Sequence, residues 1–122
     1  MPQILVVDDE KEILDILTRF FTKKSYSVVT AETGEECLDI LEKEKVDAVL
    51  LDIHLPGMSG LETLRRIHST RPDLPVVMIS AQDDEEVAKA TLEEGAFDYV
   101  VKPLNFDYLE RTVYLKLVQT LP

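Results

Sequence analysis

The 122-residue sequence predicts a doubly wound α/β fold, a five-stranded parallel sheet with helices on both faces. Two observations lead to this prediction. Strand-like and helix-like segments alternate five times along the chain, and the loops between them are short. The second and fifth strand-like segments are also more polar than the others, which suits the edges of a sheet. With right-handed crossovers, these features give the strand order 2-1-3-4-5.

The first two strand–helix units are recognised by their apolar runs and by helical spacing. Residues 4–7 are continuously apolar, as expected for a central parallel strand covered on both faces. Residues 12–23 carry apolar side chains at helical spacing and predict the first helix. The second strand, residues 27–31, is weaker and more polar. Thr33 and Glu36 form a capping-box pattern at the start of the second helix.

The remaining three units follow in the same order. Their strands are predicted over residues 46–51, 75–79 and 98–101. Their helices are predicted to begin at capping residues, namely Ser59 with Glu62, either Asp83 or Asp84, and Asn105. Gly95 is expected to end the fourth helix, because glycine readily adopts the conformation that follows a helix.

Composition narrows the class of protein. The 45% of hydrophobic and 30% of charged residues are ordinary for a globular domain. Thirteen basic against 24 acidic residues give a net charge of −11, which argues against direct nucleic-acid binding by this domain. Cys37 is the single cysteine, so an intrachain disulfide is excluded, and its place on an apolar helix side predicts a buried thiol. No apolar run is long enough for a membrane span, and a cytoplasmic location is expected.

Polar residues stand at the C-terminal ends of four predicted strands. Asp8 and Asp9 follow the first strand and Asp52 the third, whereas Ser80 follows the fourth and Lys102 the fifth. The C-terminal ends of parallel strands lie at one edge of the sheet, where such folds bind ligands. Each residue alone has an ordinary explanation. Asp8 and Asp9 could cap a helix, Asp52 could be a loop acid, Ser80 could satisfy a turn and Lys102 could be a surface lysine. Together, in this order, they predict a shared site.

The residue types fit phosphoryl transfer. Crowded carboxylates repel each other unless a cation joins them, and oxygen ligands without a cysteine or histidine cluster favour Mg²⁺. Asp52 would be ionised at neutral pH and would need no base to act as a nucleophile. Lys102 would place a positive charge beside a phosphoryl oxygen, and Ser80 would donate a hydrogen bond to another.

Five segments of the chain together resemble the receiver domain of two-component response regulators, which has the CheY-like, flavodoxin-like form of the doubly wound fold. They are Val6-Val7-Asp8-Asp9-Glu10, Leu50-Leu51-Asp52, Leu55-Pro56-Gly57-Met58-Ser59-Gly60, Ile79-Ser80-Ala81 and Asp98-Tyr99-Val100-Val101-Lys102-Pro103. The resemblance covers essentially the whole chain. It implies a single receiver domain over residues 1–122, compatible with excision from a longer protein, that is a signalling switch and not a turnover enzyme.

The resemblance also implies the phosphoacceptor and the metal ligands. Asp52 would accept a phosphoryl group from a sensor histidine kinase or a histidine phosphotransfer protein. The implied ligands of Mg²⁺, with Mn²⁺ as a substitute, are Asp8, Asp9, Asp52 and the main-chain carbonyl of His54. The His54 imidazole either influences the lifetime of the phosphorylated form or is simply a solvated loop histidine.

The remaining implied roles concern phosphoryl binding and switching. The groups that would bind the phosphoryl group are Lys102, Ser80 and the backbone of Ala81. Ser80 and Tyr99 would act as switch residues, and the Lys102–Pro103 bond is expected to be cis. Their movement would change a face of the fourth helix, fifth strand and fifth helix that includes Lys89, Tyr99, Tyr108 and Arg111. This face would serve a homodimer or an effector of unknown identity.

Three alternative functions differ from this interpretation. A Mg²⁺-dependent aspartyl-phosphate phosphatase of the haloacid dehalogenase type would carry a second aspartate two residues after the nucleophile, where this chain has His54. A dinucleotide-binding domain would need a G-x-G-x-x-G motif after the first strand, and the sequence has none there. A docking module without phosphorylation would not require the complete set of acids, hydroxyl and lysine.

Overall fold

The structure, a computed structural model, describes residues 1–119; residues 120–122 of the predicted domain lie outside the described residues. Strands and helices alternate along the chain. In order they are β1 (Gln3–Val7), α1 (Lys11–Lys23), β2 (Ser27–Ala31), α2 (Gly34–Lys43), β3 (Ala48–Asp52), α3 (Gly60–Thr70), β4 (Val76–Ser80), α4 (Glu85–Glu93), β5 (Asp98–Val101) and α5 (Phe106–Gln119). Among these helices, none has both the length and the hydropathy that crossing a bilayer would require.

All five strands are parallel and lie in the order β2-β1-β3-β4-β5, which confirms the predicted fold class. The alternation of side chains along each strand divides the core into two parts. On β1, Leu5 and Val7 pack on the face covered by α2, α3 and α4. Ile4 and Val6 pack on the opposite face, against α1 and α5. Continuous apolar runs in the central strands therefore follow from burial on both faces.

Two of the strands that carry the polar residues, β3 and β4, end one position later than predicted. Asp52 and Ser80 are the last residues of β3 and β4, whereas the sequence placed them just beyond the strands. Asp52 pairs with Ile79, and the next amide, of Ile53, donates to the Ile79 carbonyl at 3.0 Å. Ladder hydrogen bonds use backbone groups, so a polar side chain does not stop them. Both side chains are consequently held by the sheet itself.

Side-chain caps start four of the helices at the predicted places. The capping residues are Thr33, Ser59, Asp84 and Asn105, each accepting from a main-chain amide of its helix. The two predicted capping boxes are only half formed. The carboxylate of Glu36 accepts from the amide of Glu32, one residue before the cap. The carboxylate of Glu62 instead pairs with Arg65 and Arg66 on the exposed side of α3.

Two further predictions about single residues are confirmed. Cys37 is fully buried in the core under α2, and this burial raises the pKa of its thiol to about 12. Gly95 follows α4 with φ at +106°. Residues other than glycine adopt this backbone conformation only at a cost in free energy.

Candidate functional site

Four neighbouring strands deliver the predicted polar residues to one edge of the sheet. Asp8 directly follows β1, Asp52 ends β3, Ser80 ends β4 and Lys102 directly follows β5. The order β1-β3-β4-β5 makes each of these strands the neighbour of the next. The amide of Lys102 donates to the Ser80 carbonyl at 2.7 Å, which ties the start of the β5–α5 loop to the end of β4.

The Lys102 ammonium lies at the centre of the acidic residues. Its Nζ is 3.0 Å from Asp8 Oδ2, 3.1 Å from Glu10 Oε1 and 3.5 Å from Asp52 Oδ2. Only 13% of the lysine side chain is exposed. Three carboxylates thus share one positive charge, which leaves a net negative charge when all are ionised.

Asp8 is the most deeply buried member of this group. Its exposure is 0%, and Oδ1 accepts a hydrogen bond from the Glu10 amide at 2.8 Å. Its Oδ2 lies within ion-pair distance of Lys102 but has no hydrogen bond of good geometry. Burial raises the pKa of the Asp8 carboxyl, although the Glu10 amide and Lys102 oppose this effect. Asp8 therefore has one buried oxygen available for a further ligand.

The acid cluster in turn determines the charge of Lys102. Burial alone would lower the pKa of the ammonium, but the close carboxylates of Asp8 and Glu10 and the charge of Asp52 outweigh it. The pKa of Lys102 is consequently raised above its usual value, and the side chain remains positive at physiological pH.

The donor set fits a hard divalent cation. Carboxylate oxygens of Asp8, Glu10 and Asp52 lie within 4.8 Å of one another, close enough to converge on one ion. The buried Oδ2 of Asp8 that lacks a hydrogen bond is the kind of atom that such an ion would satisfy. Oxygen ligands of this type are those that Mg²⁺ prefers.

The arrangement of acids differs from the predicted ligand set at two positions. Asp9 is exposed and does not belong to the group of converging carboxylates among the described residues. Glu10, which the sequence interpretation gave no role, occupies a place in that group. The available signal was its position two residues beyond Asp8, at the N-cap of α1. From there its side chain reaches back over the strand ends.

Ser80 and Tyr99 are joined through a residue that the sequence interpretation missed. Ser80 is fully buried, and its Oγ accepts from the Gln82 amide at 3.0 Å. The Tyr99 hydroxyl donates to the Gln82 carbonyl at 2.8 Å. Main-chain groups of Gln82 make both bonds, so its side-chain type could not have revealed them.

The loops around Asp52 and Lys102 carry the remaining predicted residues. His54 is exposed, and its amide donates to Asp52 Oδ1 at 3.0 Å. Ala81 lies exposed in the loop after β4. The predicted cis bond between Lys102 and Pro103 is confirmed.

The predicted switching face is largely open to solvent. Lys89 on α4 and Arg111 on α5 are exposed, and Tyr99 is half-buried. The Tyr108 hydroxyl donates to the carboxylate of Asp98, which joins α5 to β5. This hydrogen bond raises the pKa of Tyr108.

Comparison with known proteins gives one consistent result. The family model described as the response regulator receiver domain matches residues 4–114. The response regulator MprA of Mycolicibacterium vanbaalenii is 38% identical over 120 residues, which are 98% of this chain and 52% of the relative. The chain thus spans about half the length of the curated relatives it matches.

Solved structures agree with this result. A CheY-like response regulator receiver domain protein from Methanospirillum hungatei superposes with a TM-score of 0.93 at 34% identity, covering 98% of this chain and 95% of that one. The response regulator TrrA from Thermotoga maritima, in complex with Mg²⁺ and BeF, gives a TM-score of 0.87 at 36% identity, with coverages of 95% and 99%.

Proposed function

Because this chain belongs to the response regulator receiver domain family, we propose that Asp52 is its phosphoacceptor. Receiver domains of two-component systems are phosphorylation-activated signalling switches, and this domain is one of them. The observation that carries the assignment of Asp52 is its position beside Lys102. The ammonium lies 3.5 Å from Asp52 Oδ2, at the edge of the sheet where the acids converge.

The proposed reaction is an in-line displacement at phosphorus. A carboxylate oxygen of Asp52 forms a bond to phosphorus while the P–N bond of a phosphohistidine breaks, and the imidazole nitrogen keeps the electron pair. Lys102 offers its positive charge to a phosphoryl oxygen. The Ser80 hydroxyl at the end of β4 and the backbone at Ala81 would bind the remaining oxygens.

A divalent cation would complete the pocket. The residues proposed to hold Mg²⁺ are Asp8, Asp52, the main-chain carbonyl of His54 and Asp9. The exposed Asp9 side chain would have to turn towards the ion, whereas Glu10, although it converges with Asp8 and Asp52 here, is taken as the partner of Lys102. When bound, the ion would neutralise negative charge on the phosphoryl oxygens. Asp8 supplies the firmest support, because its buried Oδ2 lacks a hydrogen bond. Mn²⁺ has the same preference for oxygen ligands and is proposed as a substitute.

Phosphorylation is proposed to act through Ser80, Gln82 and Tyr99. In the structure the Ser80 hydroxyl accepts a hydrogen bond from the Gln82 amide. This hydrogen bond would break if the hydroxyl turned towards a phosphoryl oxygen. The carbonyl of Gln82 holds the Tyr99 hydroxyl. The loop after β4 would then move, and Tyr99 would turn into the space beside Ser80. The phosphoryl group can shift the equilibrium between the two arrangements only by the difference between its binding free energies for them.

The proposed partners are a phosphodonor, suggested by the family, and a protein that contacts the exposed face of α4, β5 and α5. The phosphodonor is proposed to be a sensor histidine kinase or a histidine phosphotransfer protein. The face built from α4, β5 and α5 is proposed to form a homodimer or to contact an effector. From the family, the domain is proposed to be a cytoplasmic signalling domain rather than a turnover enzyme.

Phosphorylation in solution tests the assignment. Incubation with acetyl phosphate and Mg²⁺ should add one phosphoryl group to the wild-type protein and none to Asp52→Ala, as measured by intact mass. Mapping the modification to a serine or a histidine would contradict the proposal. Steady release of phosphate from a small phosphomonoester, with Asp52 required, would favour the phosphatase alternative.

A further inference from the structure

Lys102 has a third acidic partner whose role the proposed reaction leaves unexplained. Glu10 Oε1 is 3.1 Å from Lys102 Nζ and accepts a hydrogen bond from it. Unlike Asp8 and Asp52, which are buried, 60% of the Glu10 side chain is exposed. Glu10 therefore lies on the solvent side of the ammonium, where a phosphodonor would approach.

In this position the carboxylate of Glu10 and an incoming phosphoryl group would compete for the same ammonium. An incoming phosphoryl group is negative and needs the ammonium of Lys102 as a partner. Glu10 occupies one of the three N–H donors of that ammonium, and its own charge repels an anion entering the pocket. Because Glu10 is exposed, both effects are screened by solvent and by salt.

We propose that Glu10 is a positioning residue that competes with the phosphoryl group for Lys102, and that it thereby lowers the affinity of the pocket for that group. The proposal rests on the function proposed above. In the unphosphorylated domain Glu10 accepts a hydrogen bond on the solvent side of the ammonium. Occupation of the pocket by a phosphoryl group displaces Glu10 from Lys102 and leaves its carboxylate to water.

The neighbouring residue Glu12 provides a matched control. It is exposed in the first turn of α1, and Glu12→Gln changes the net charge by the same amount as Glu10→Gln. Lys102 is in contact with Glu10 and not with Glu12 among the ion pairs of residues 1–119. A difference between the two variants therefore reports the contact and not the overall charge.

The experiment measures the binding of beryllofluoride, a mimic of the phosphoryl group, by calorimetry. Each protein is first titrated with Mg²⁺ so that beryllofluoride is added at a saturating metal concentration. We expect Glu10→Gln to bind beryllofluoride about two- to fivefold more tightly than wild type, the range that an exposed ion pair allows. The gain should disappear near 1 M salt, where the Debye length is about 3 Å. Glu12→Gln should match wild type.

The outcomes separate this proposal from the function on which it rests. If wild type binds no beryllofluoride, the proposed function fails. If wild type binds it and Glu10→Gln binds equally, competition for Lys102 is wrong; if Glu10→Gln binds more weakly, competition is also wrong and Glu10 supports the pocket. Equal gains in the Glu10 and Glu12 variants would also overturn the proposal, as would a gain in Glu10→Gln that high salt leaves unchanged.

Discussion

Replacing Lys102 with methionine should reveal how far the buried acids depend on one ammonium. Lys102 Nζ is 3.0 Å from Asp8 and 3.5 Å from Asp52, and Asp8 is fully buried. Methionine keeps an unbranched stem but removes the charge, so the main loss is electrostatic. A buried carboxylate without a partner avoids its unfavourable charge by binding a proton.

The cost of that proton limits the size of the effect. The ordinary pKa of Asp8 is 3.8, so keeping the carboxyl protonated at pH 7 costs at most about 4 kcal/mol at roughly 1.4 kcal/mol per pH unit. Wild type already carries part of this cost, because burial raises the pKa of Asp8. We therefore expect Lys102→Met to lower the free energy of unfolding by about 2–4 kcal/mol at pH 7 without Mg²⁺.

The pH dependence has a definite sign. Loss of Lys102 raises the pKa of Asp8 further in the folded state, and a raised pKa favours folding at low pH relative to high pH. The destabilisation should therefore shrink as pH falls towards the ordinary pKa of 3.8. Between pH 7 and pH 5.5, which stays above the sequence pI of about 4.5, the decrease should reach up to about 2 kcal/mol.

Urea denaturation at these two pH values, with and without Mg²⁺, measures the effect. Lys45→Met is the control, because Lys45 is exposed and the charge change is identical. Mg²⁺ should stabilise Lys102→Met more than wild type, since a bound cation replaces the missing positive charge. A Lys102→Met protein that is as stable as wild type at pH 7 without Mg²⁺ would refute the reasoning.

Two further predictions concern positions outside the acid cluster. A Cβ at Gly60 would lie 2.3 Å from the Asp52 carbonyl oxygen and 2.5 Å from Ile53 Cα. We therefore expect Gly60→Ala to lower the free energy of unfolding by about 1–3 kcal/mol, measured in denaturant, and to slow labelling by acetyl phosphate. Gly57→Ala, a control at φ +74° beside a flexible side chain, should cost about 1 kcal/mol and leave labelling intact; equal labelling in both variants would contradict the argument. The Cys37 thiol should resist thiol reagents at pH 8 until the protein unfolds. Its pKa is raised from 9.0 to about 12, so above pH 9 the unfolded state loses this proton first and stability falls as pH rises. The destabilisation caused by Cys37→Ala should consequently shrink between pH 9 and pH 12, and a constant difference would contradict the assignment.

Much of the site was predictable because it depends on where strands end. Asp8, Asp52, Ser80 and Lys102 each terminate or follow an apolar run, and parallel strands have their C-terminal ends at one edge. The error of one residue at the ends of β3 and β4 did not affect this result. One residue adds only about 3.3 Å along the strand axis, so a strand that ends one residue later still has its last side chain at the same edge of the sheet.

The sequence by itself determined the strand order, the burial of the central strands and the group of polar residues at one edge, because these depend on periodicity and backbone topology. Only the tertiary structure decided which acids meet Lys102. It brought Glu10 into contact and left Asp9 exposed, although the two are adjacent in the chain. The reason is that neighbouring residues at the start of a helix point in different directions, and a long charged side chain takes the conformation that the surrounding charges favour.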